Sequence, residues 1–275
     1  MAKVAKVRSA GPRRAKRLLV RSAARPRRKI VWTELKRRAA AQGFAPQDLE
    51  RFYQYLSIHL KLEAPEYTEP LQKPENFFPG LRAQPVYDPA EFAWVPRLVD
   101  DFEDIRQELL DFSTKLTLDA QGQGLADRGQ WNVLYFYKGG RQIEATTRAC
   151  PHTSEILASV PGATGEAGQT LLSVLTGNSH ISRHYAPTNV RLRCHLGIVV
   201  PDGARIRIGD EKYEWHEGQC LIFDDSFDHE VWNDSSNERV VLIVDFWHPD
   251  LTAAERWAIT QGRHMRFGLR DILHA

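Results

Sequence analysis

Two histidines and several arginines between residues 184 and 239 are the residues of this 275-residue chain best suited to chemistry. The imidazoles of His184 and His229 can bind a metal ion, and the guanidiniums of Arg193 and Arg239 can hold a carboxylate through paired hydrogen bonds. The common iron site of two histidines and one carboxylate would place Asp or Glu two residues after the first histidine, where this chain has Ala186. The pattern predicts a metal site with two protein ligands beside an anion-binding site.

The segment 190–196 alternates between polar and apolar side chains, as a strand with one buried face does. Arg191, Arg193 and His195 share one face, and the other face is apolar: Val190, Leu192, Cys194 and Leu196. Three chargeable groups in a row repel one another unless an anion or a metal ion lies among them. Inside a barrel, a bound carboxylate would relieve that repulsion.

Arg239 opens the run 239–246, which is apolar enough to predict a strand buried on both faces. A guanidinium at the start of such a strand needs a partner. That partner is either a neighbouring carboxylate of the protein or a small dicarboxylate gripped by two hydrogen bonds, and the residues alone leave both open.

Asp225, four residues before His229, has two equally favoured interpretations. Its carboxylate can accept a hydrogen bond from a metal-bound water, or it can cap the turn 224–226. Further histidines are alternative metal ligands: His180, His195, His216 and His248.

The elements that must position these residues are mainly strands. From about residue 130 the apolar pattern has a period of two, and Gly-rich turns separate the short runs. Many short strands without intervening helices predict a mainly β fold, a sandwich or jelly roll. The predicted strands are 131–137, 170–175, 190–200, 204–208, 219–223, 230–233 and 239–246.

The N-terminal part has a different composition. A helical pattern over 31–63 is interrupted at Gly43 and Pro46, a Pro-rich segment follows over 64–92, and an amphipathic helix is predicted over 96–112. Residues 1–30 contain twelve Lys or Arg and no Asp or Glu, which leaves 25 basic and 35 acidic residues in the rest of the chain.

Such a basic arm is typically disordered and solvated, and it can make weak electrostatic contact with anionic lipid or nucleic acid or serve as a targeting signal. The three widely spaced cysteines predict free thiols in a reducing, cytoplasmic compartment. We find no apolar run long enough to form a transmembrane segment.

Four segments resemble the aspartyl/asparaginyl β-hydroxylase family: 184–189 (HYAPTN), 191–197 (RLRCHLG), 221–232 (LIFDDSFDHEVW) and 244–251 (VDFWHPDL). The resemblance covers roughly residues 78–258. It implies a double-stranded β-helix, a cupin-like jelly-roll barrel, and an iron(II)- and 2-oxoglutarate-dependent dioxygenase. Together with the composition of the flanking segments, the resemblance predicts four parts: a basic arm (1–30), a helical segment with a Pro-rich linker (31–77), the jelly-roll oxygenase domain (78–258) and a C-terminal tail (259–275).

By the same resemblance, His184 and His229 match the two Fe(2+) ligands. The family lacks the carboxylate ligand, so Ala186 is compatible with it, although glycine is expected there. For 2-oxoglutarate, Arg193 and His195 match the groups at the end nearest the metal, and the distal carboxylate is held by the residues matching Ser173 and Arg239. Asp225 is kept as a catalytic candidate beyond the ligand sphere.

The resemblance implies hydroxylation of the β-carbon of an Asp or Asn side chain in a peptide or small amino-acid substrate. Members acting on epidermal-growth-factor-like domains carry Arg and Gln where this chain has Ala126 and Val133, so the substrate does not carry over. Three alternatives stay open: hydroxylation of a lipid acyl chain at an anionic membrane surface, a non-catalytic cupin-like binding module, and halogenation, with which Ala186 is compatible.

Overall fold

The computed structural model describes residues 29–113, 119–120 and 124–264, so most of the basic arm and residues 265–275 lie outside the described residues. The chain divides into two compact units. In the described part, one unit comprises residues 29–66 and 252–264, and the other comprises Tyr67–Leu251. The domain boundaries suggested by the family resemblance stay a prediction.

The helices are α1 (residues 29–41), α2 (Glu50–His59), α3 (Val95–Asp100), α4 (Phe102–Ser113), α5 (Glu144–Ala149), α6 (Pro151–Ala158) and α7 (Ala253–His264). Short 3-10 turns occupy Pro46–Leu49 and Pro89–Glu91. The strands are β1 (Val86–Tyr87), β2 (Asp119–Ala120), β3 (Ala126–Arg128), β4 (Trp131–Lys138), β5 (Arg141–Gln142), β6 (Thr170–Leu175), β7 (Ser179–His184), β8 (Arg191–Val199), β9 (Ala204–Ile208), β10 (Glu211–Glu214), β11 (Cys220–Phe223), β12 (His229–Asn233) and β13 (Arg239–Trp247).

The smaller unit is helical. Gly43, with φ of 81°, ends the first helical segment, because this left-handed backbone favours glycine. Helix α2 buries Phe52 and Leu56, and the Arg51 guanidinium donates two hydrogen bonds of 2.8 and 2.6 Å to the carboxylate of Glu255 in α7. Within the described residues, no helix is long and apolar enough to cross a membrane.

The larger unit is built from two antiparallel sheets. The larger sheet has the strand order β1-β11-β8-β13-β6-β4-β2, with β5 beside β4, and the smaller has the order β10-β9-β12-β7-β3. From β6 to β13 the chain passes repeatedly from one sheet to the other. These crossings between facing sheets confirm the predicted mainly β, jelly-roll fold.

The two faces of the larger sheet have different surroundings. One face buries Leu192, Cys194 and Leu196 in a cluster with Leu98 and Leu109 of α3 and α4. The other face belongs to a second apolar cluster with side chains of the smaller sheet, and this interior also receives the polar face of β8. The alternation predicted for 190–196 is therefore confirmed, because the apolar set packs against the helices.

Several predicted elements needed correction. The helix predicted over 96–112 is two helices separated at Asp101, and the absence of helices after residue 130 was wrong, because α5 and α6 lie between β5 and β6. The strand β7 was not predicted, although it ends at His184. Its sequence, SHISRH, contains one aliphatic residue, so hydrophobic periodicity gives no signal there.

Candidate active site

The two predicted metal ligands are direct neighbours across two strands. His184 is the last residue of β7 and His229 is the first of β12, and they are register partners. Their ring centroids lie 4.0 Å apart with a 54° angle between the planes. His229 is buried and His184 is half-buried. The structure therefore brings these two imidazoles together where β7 ends and β12 begins.

Backbone carbonyls fix the tautomers of both rings. Nδ1 of His184 donates to the carbonyl oxygen of Ser182 at 2.7 Å, and Nδ1 of His229 donates to that of Phe227 at 2.9 Å. Because a carbonyl only accepts, each proton is on Nδ1 and each Nε2 keeps its lone pair. Burial lowers the pKa of His184 and, more strongly, that of His229. Both rings are thus neutral, the state in which imidazole binds a metal ion.

Ala186 occupies the place where the common iron site has its carboxylate. Its backbone N–H donates to the carbonyl oxygen of Asp225 at 2.7 Å, and its methyl group is buried. Within the described residues, no group of three His, Cys, Asp or Glu side chains is placed to hold a metal ion. Ala186 therefore supplies no carboxylate to a metal ion bound by His184 and His229.

Beside the histidines, two arginines and two aspartates form what we call the paired cluster: Arg191, Arg193, Asp225 and Asp245. The Arg193 guanidinium donates to both carboxylate oxygens of Asp245, at 2.8 and 3.2 Å, and its Nη1 lies 3.1 Å from Asp225 Oδ2. Arg191 lies 3.3 Å from Asp245 and 3.5 Å from Asp225. The protein therefore supplies carboxylates for the charges that the sequence places side by side on β8.

The ionisation of this cluster follows from its pairing. Burial opposes the charge of Arg193, yet Asp225 and Asp245 raise the pKa of its guanidinium. Burial likewise opposes the charge of Asp245, yet Arg191 and Arg193 hold the pKa of this carboxyl below its ordinary value. Asp245 also accepts a hydrogen bond of 2.9 Å from the backbone N–H of Gln169.

Gly168 allows the close approach of backbone to this carboxylate. A Cβ at position 168 would lie 2.2 Å from Oδ2 of Asp245, well inside van der Waals contact. The residue before Gln169 must therefore lack a side chain if Asp245 is to keep its position.

The second arginine of the site has very different surroundings. We call Ser173, His195, Trp215 and Arg239 the Arg239 cluster. Arg239 is 2% exposed, its Nη1 lies 3.4 Å from Oγ of Ser173, and its Nε is buried without a hydrogen-bond partner in the described structure. Burial lowers the pKa of Arg239 to about 9, and no carboxylate among the described residues opposes this effect.

His195 contributes another unpaired donor to the Arg239 cluster. The indole Nε1–H of Trp215 donates to Nδ1 of His195 at 3.2 Å, which places the imidazole proton on Nε2. This Nε2 is buried and lacks a partner within the described residues. Burial, together with the charges of Arg193 and Arg239, lowers the pKa of His195 well below its ordinary value, so the ring is neutral.

A carboxylate ligand fits this donor set. An unpaired buried guanidinium costs several kcal/mol, whereas a carboxylate restores charge balance and accepts several hydrogen bonds. The serine hydroxyl is already oriented, because the Trp131 indole donates to Oγ of Ser173 at 2.9 Å. The neutral imidazoles of His184 and His229 supply a metal-binding pair near His195, because the ring of Phe223 lies 4.9 Å from the His195 ring and 6.0 Å from the His229 ring, measured between centroids.

The structure brings together some of the predicted site residues and gives others a different environment. Ser173 and Arg239 lie in contact, as do His184 and His229. Arg193 is engaged by carboxylates of the protein. The turn after residue 223 is capped by the carboxylate of Asp224, which accepts from the N–H of Ser226 at 2.9 Å, so the capping interpretation of Asp225 was wrong. The catalytic role of Asp225 stays a prediction.

Two competing histidines are engaged elsewhere in the fold. His180 lies 2.7 Å from Asp127 and 2.8 Å from Glu230 through its two ring nitrogens. His248 shares a hydrogen bond of 3.1 Å with the hydroxyl of Tyr87.

Sequence reasoning missed three contributors to the site: Trp131, Trp215 and Asp245. A signal existed for Asp245, because it is the one charged residue within the apolar part of its strand, VVLIVDFW. A charge in such a run needs a partner. No comparable pattern marks the two tryptophans, whose contacts depend on strand register.

Comparison with known proteins identifies a matching family and several related sequences. The family model described as aspartyl/asparaginyl beta-hydroxylase matches residues 99–249. The human aspartyl/asparaginyl beta-hydroxylase is 40% identical over 185 residues, covering 64% of this chain and 24% of that protein. The human aspartate beta-hydroxylase domain-containing protein 2 is 37% identical over 200 residues, covering 69% and 54%.

A further relative is the ornithine lipid ester-linked acyl 2-hydroxylase of Rhizobium tropici, 33% identical over 187 residues, which cover 64% of this chain and 65% of that protein. The chain spans less than two thirds of each of these relatives. The family model covers more than half of the sequence and includes His184, His229 and the Arg239 cluster. The chain therefore belongs to the aspartyl/asparaginyl β-hydroxylase family.

Proposed function

We propose that this protein is an iron(II)- and 2-oxoglutarate-dependent dioxygenase that hydroxylates the β-carbon of an Asp or Asn side chain. One observation carries the proposal. A pair of neutral imidazoles with free Nε2 atoms lies in the same barrel as a buried arginine that lacks a carboxylate partner in the described structure. Family membership supports the same reaction class.

Each residue of the site has a defined task in this proposal. His184 and His229 would hold Fe(2+), and their neutral state means that no proton has to leave before the ion binds. Ser173 and Arg239 would hold the distal carboxylate of 2-oxoglutarate. His195 and Arg193 would hold the end nearest the metal, with His195 donating from Nε2.

When bound, iron and 2-oxoglutarate would together supply the oxidation of an unactivated C–H bond by dioxygen. The chain's own contribution is orientation and exclusion of water. The interior around His195 is lined by Phe223 and Trp215, which are both almost completely buried. The Phe223 ring contacts the imidazole of His195 edge-on, with 4.9 Å between the ring centroids. Asp225 and Asp245 hold Arg193 in place.

The substrate is proposed as an Asp or Asn side chain of a peptide or a small amino acid. Ala126 and Val133 replace the Arg and Gln of members that act on epidermal-growth-factor-like domains, so we expect a different peptide. A cytoplasmic location belongs to this proposal. Cys150, Cys194 and Cys220 are all free thiols in the structure, which agrees with a reducing compartment.

The direct test is the turnover of 2-oxoglutarate to succinate with Fe(2+), together with a search for a 16 Da mass increase in peptides from a lysate. His229→Ala is expected to abolish both and to lower the iron content. The matched control is His152→Ala, a histidine in α6 with a 36% exposed side chain, which should leave iron content and turnover unchanged. Full turnover by His229→Ala would refute the proposed metal site.

A second candidate is hydroxylation of a lipid acyl chain, favoured by the similarity to the ornithine lipid hydroxylase. Residues 1–30, with twelve Lys or Arg and no acid, would contact an anionic membrane surface. This candidate predicts sedimentation with anionic vesicles at low salt, loss of sedimentation on deletion of residues 1–30, and a 16 Da increase in an acyl chain. Peptide modification without lipid modification would exclude it.

A further inference from the structure

Trp215 contacts both unpaired anion-binding groups of the Arg239 cluster, the imidazole of His195 and the guanidinium of Arg239. It follows β10 directly, is 3% exposed, and belongs to the apolar cluster between the two sheets. Its indole N–H donates to Nδ1 of His195, and the two rings stack with an angle of 24°. The Cζ atom of Arg239 lies 4.9 Å from the centroid of the indole. One side chain thus links the imidazole and the guanidinium.

The hydrogen bond decides what His195 can offer to a ligand. A neutral imidazole has one donor and one acceptor nitrogen, and the indole N–H can only donate. Nδ1 of His195 must therefore accept, and Nε2 carries the proton. With the other tautomer, Nε2 would present a lone pair, which repels a carboxylate. Trp215 therefore determines whether Nε2 of His195 attracts or repels an anion.

The ring of Trp215 has a separate effect on Arg239. The guanidinium has a single hydrogen bond, to the hydroxyl of Ser173, among the contacts of the described structure, so its position depends on packing. A cation over an indole face is attracted by the ring's quadrupole, and a flat guanidinium keeps its in-plane N–H donors available while it does so.

We propose that Trp215 is a positioning residue for the cosubstrate: its indole N–H holds His195 as the Nε2–H tautomer, and its ring face supports the Arg239 guanidinium. The inference rests on the proposed function, because it assigns the ligand of both groups as 2-oxoglutarate. A purely structural role would require only that Trp215 fill space in the apolar cluster, and phenylalanine would then replace it without effect on His195.

The tautomer is tested by nitrogen-15 NMR of the histidine rings, with the His195 signals assigned by their loss in His195→Gln. In the unsubstituted protein, His195 is expected to show a protonated Nε2 and an unprotonated Nδ1. Trp215→Phe should shift both signals toward a mixture of tautomers. A protonated Nδ1 in the unsubstituted protein would overturn the proposal without any variant, as would unaltered His195 signals in a folded Trp215→Phe.

The second readout is binding of 2-oxoglutarate to the Mn(2+)-loaded protein by calorimetry under nitrogen, which involves no turnover. Trp215→Phe keeps an aromatic ring and loses the N–H, so we expect the affinity for 2-oxoglutarate to fall about tenfold. Trp215→Leu also loses the ring face, so it should bind 2-oxoglutarate about a hundredfold more weakly than the unsubstituted protein. Trp94→Phe is the matched control, because Trp94 packs against the other apolar cluster, and it should bind as the unsubstituted protein does.

The two hypotheses fail in different ways. If the unsubstituted protein binds Mn(2+) but no 2-oxoglutarate, the proposed function and the role of Trp215 toward this ligand both fail. If the unsubstituted protein binds 2-oxoglutarate and Trp215→Phe binds it equally well, the proposed function stands and the inference about Trp215 is refuted.

Discussion

Arg193 and Arg239 lie on adjacent strands of the same sheet and have opposite electrostatic surroundings. Arg193 is paired with Asp225 and Asp245, and its pKa is raised, whereas Arg239 is almost completely buried, has no opposing carboxylate in the described structure, and has a pKa lowered to about 9. A buried charge that is paired within the protein has much of its desolvation cost offset by its partner. An unpaired one is a cost to the fold that a ligand can offset, which makes the second arginine the better indicator of a binding site.

The largest expected effect comes from breaking the paired cluster. Asp245→Asn removes the carboxylate that holds Arg193 and Arg191, and we expect the free energy of unfolding to fall by about 3–5 kcal/mol, as it does when one partner of a buried ion pair is removed. Urea denaturation measures this loss. An unchanged midpoint would mean that Asp225 alone neutralises both guanidiniums.

The same substitution has a predicted pH dependence. Because the pKa of Asp245 is lowered in the folded state, its stabilisation is fully present above the unfolded pKa of about 4 and is lost as the pH falls through the folded value. The difference in unfolding free energy between the unsubstituted protein and Asp245→Asn should therefore shrink in acid. A difference that grows below pH 4 would contradict this assignment.

Arg239→Met tests the other side of the comparison. Methionine fills the space without a charge, so we expect affinity for 2-oxoglutarate to fall about a hundredfold while the free energy of unfolding stays the same or rises. Calorimetry and urea denaturation on one preparation measure both quantities. A loss of stability similar to that of Asp245→Asn would show that Arg239 has a structural partner.

Gly168→Ala probes the support of the paired cluster. The added methyl group would collide with Asp245 Oδ2, so either the carboxylate or the backbone before Gln169 must move. We expect a loss of about 1–3 kcal/mol in unfolding free energy, typical of overpacking. Glu166→Ala, at an exposed position of the same loop, is the control and should leave the unfolding free energy nearly unchanged.

The smallest expected effect is that of Ser173→Ala. It removes the hydroxyl shared by Arg239 and the Trp131 indole, and we expect affinity for 2-oxoglutarate to fall about fivefold to tenfold, equivalent to one hydrogen bond of about 1 kcal/mol. Calorimetry separates this result from Arg239→Met. An effect equal to that of Arg239→Met would mean that Ser173 alone orients the guanidinium.

Much of the barrel was predictable from the sequence because its central strands have strong patterns. The runs 170–175 and 204–208 coincide with β6 and β9, and 190–200 and 239–246 fall within a residue of β8 and β13. Short polar strands such as β7 were not predictable, since burial of one face comes from tertiary packing rather than from composition.

The candidate site was predictable by residue type but not by pairing. His184, His229 and Arg239 were identified from residue type and position, and Ser173 was identified through the family resemblance. The structure places these four residues in two contacting pairs. That Arg193 meets Asp245 depends on the register between β8 and β13, which joins residues 52 positions apart. Local sequence patterns carry no information on such a pairing.

The adjacency of His184 and His229 on β7 and β12 has a consequence for metal exchange. Both histidines belong to the smaller sheet. An ion bound between them would connect two neighbouring strands of that sheet and would not connect the two sheets. Barrel closure relies instead on the apolar interior, which needs no ion. We therefore expect the metal-free protein to stay folded and to bind the ion again without refolding.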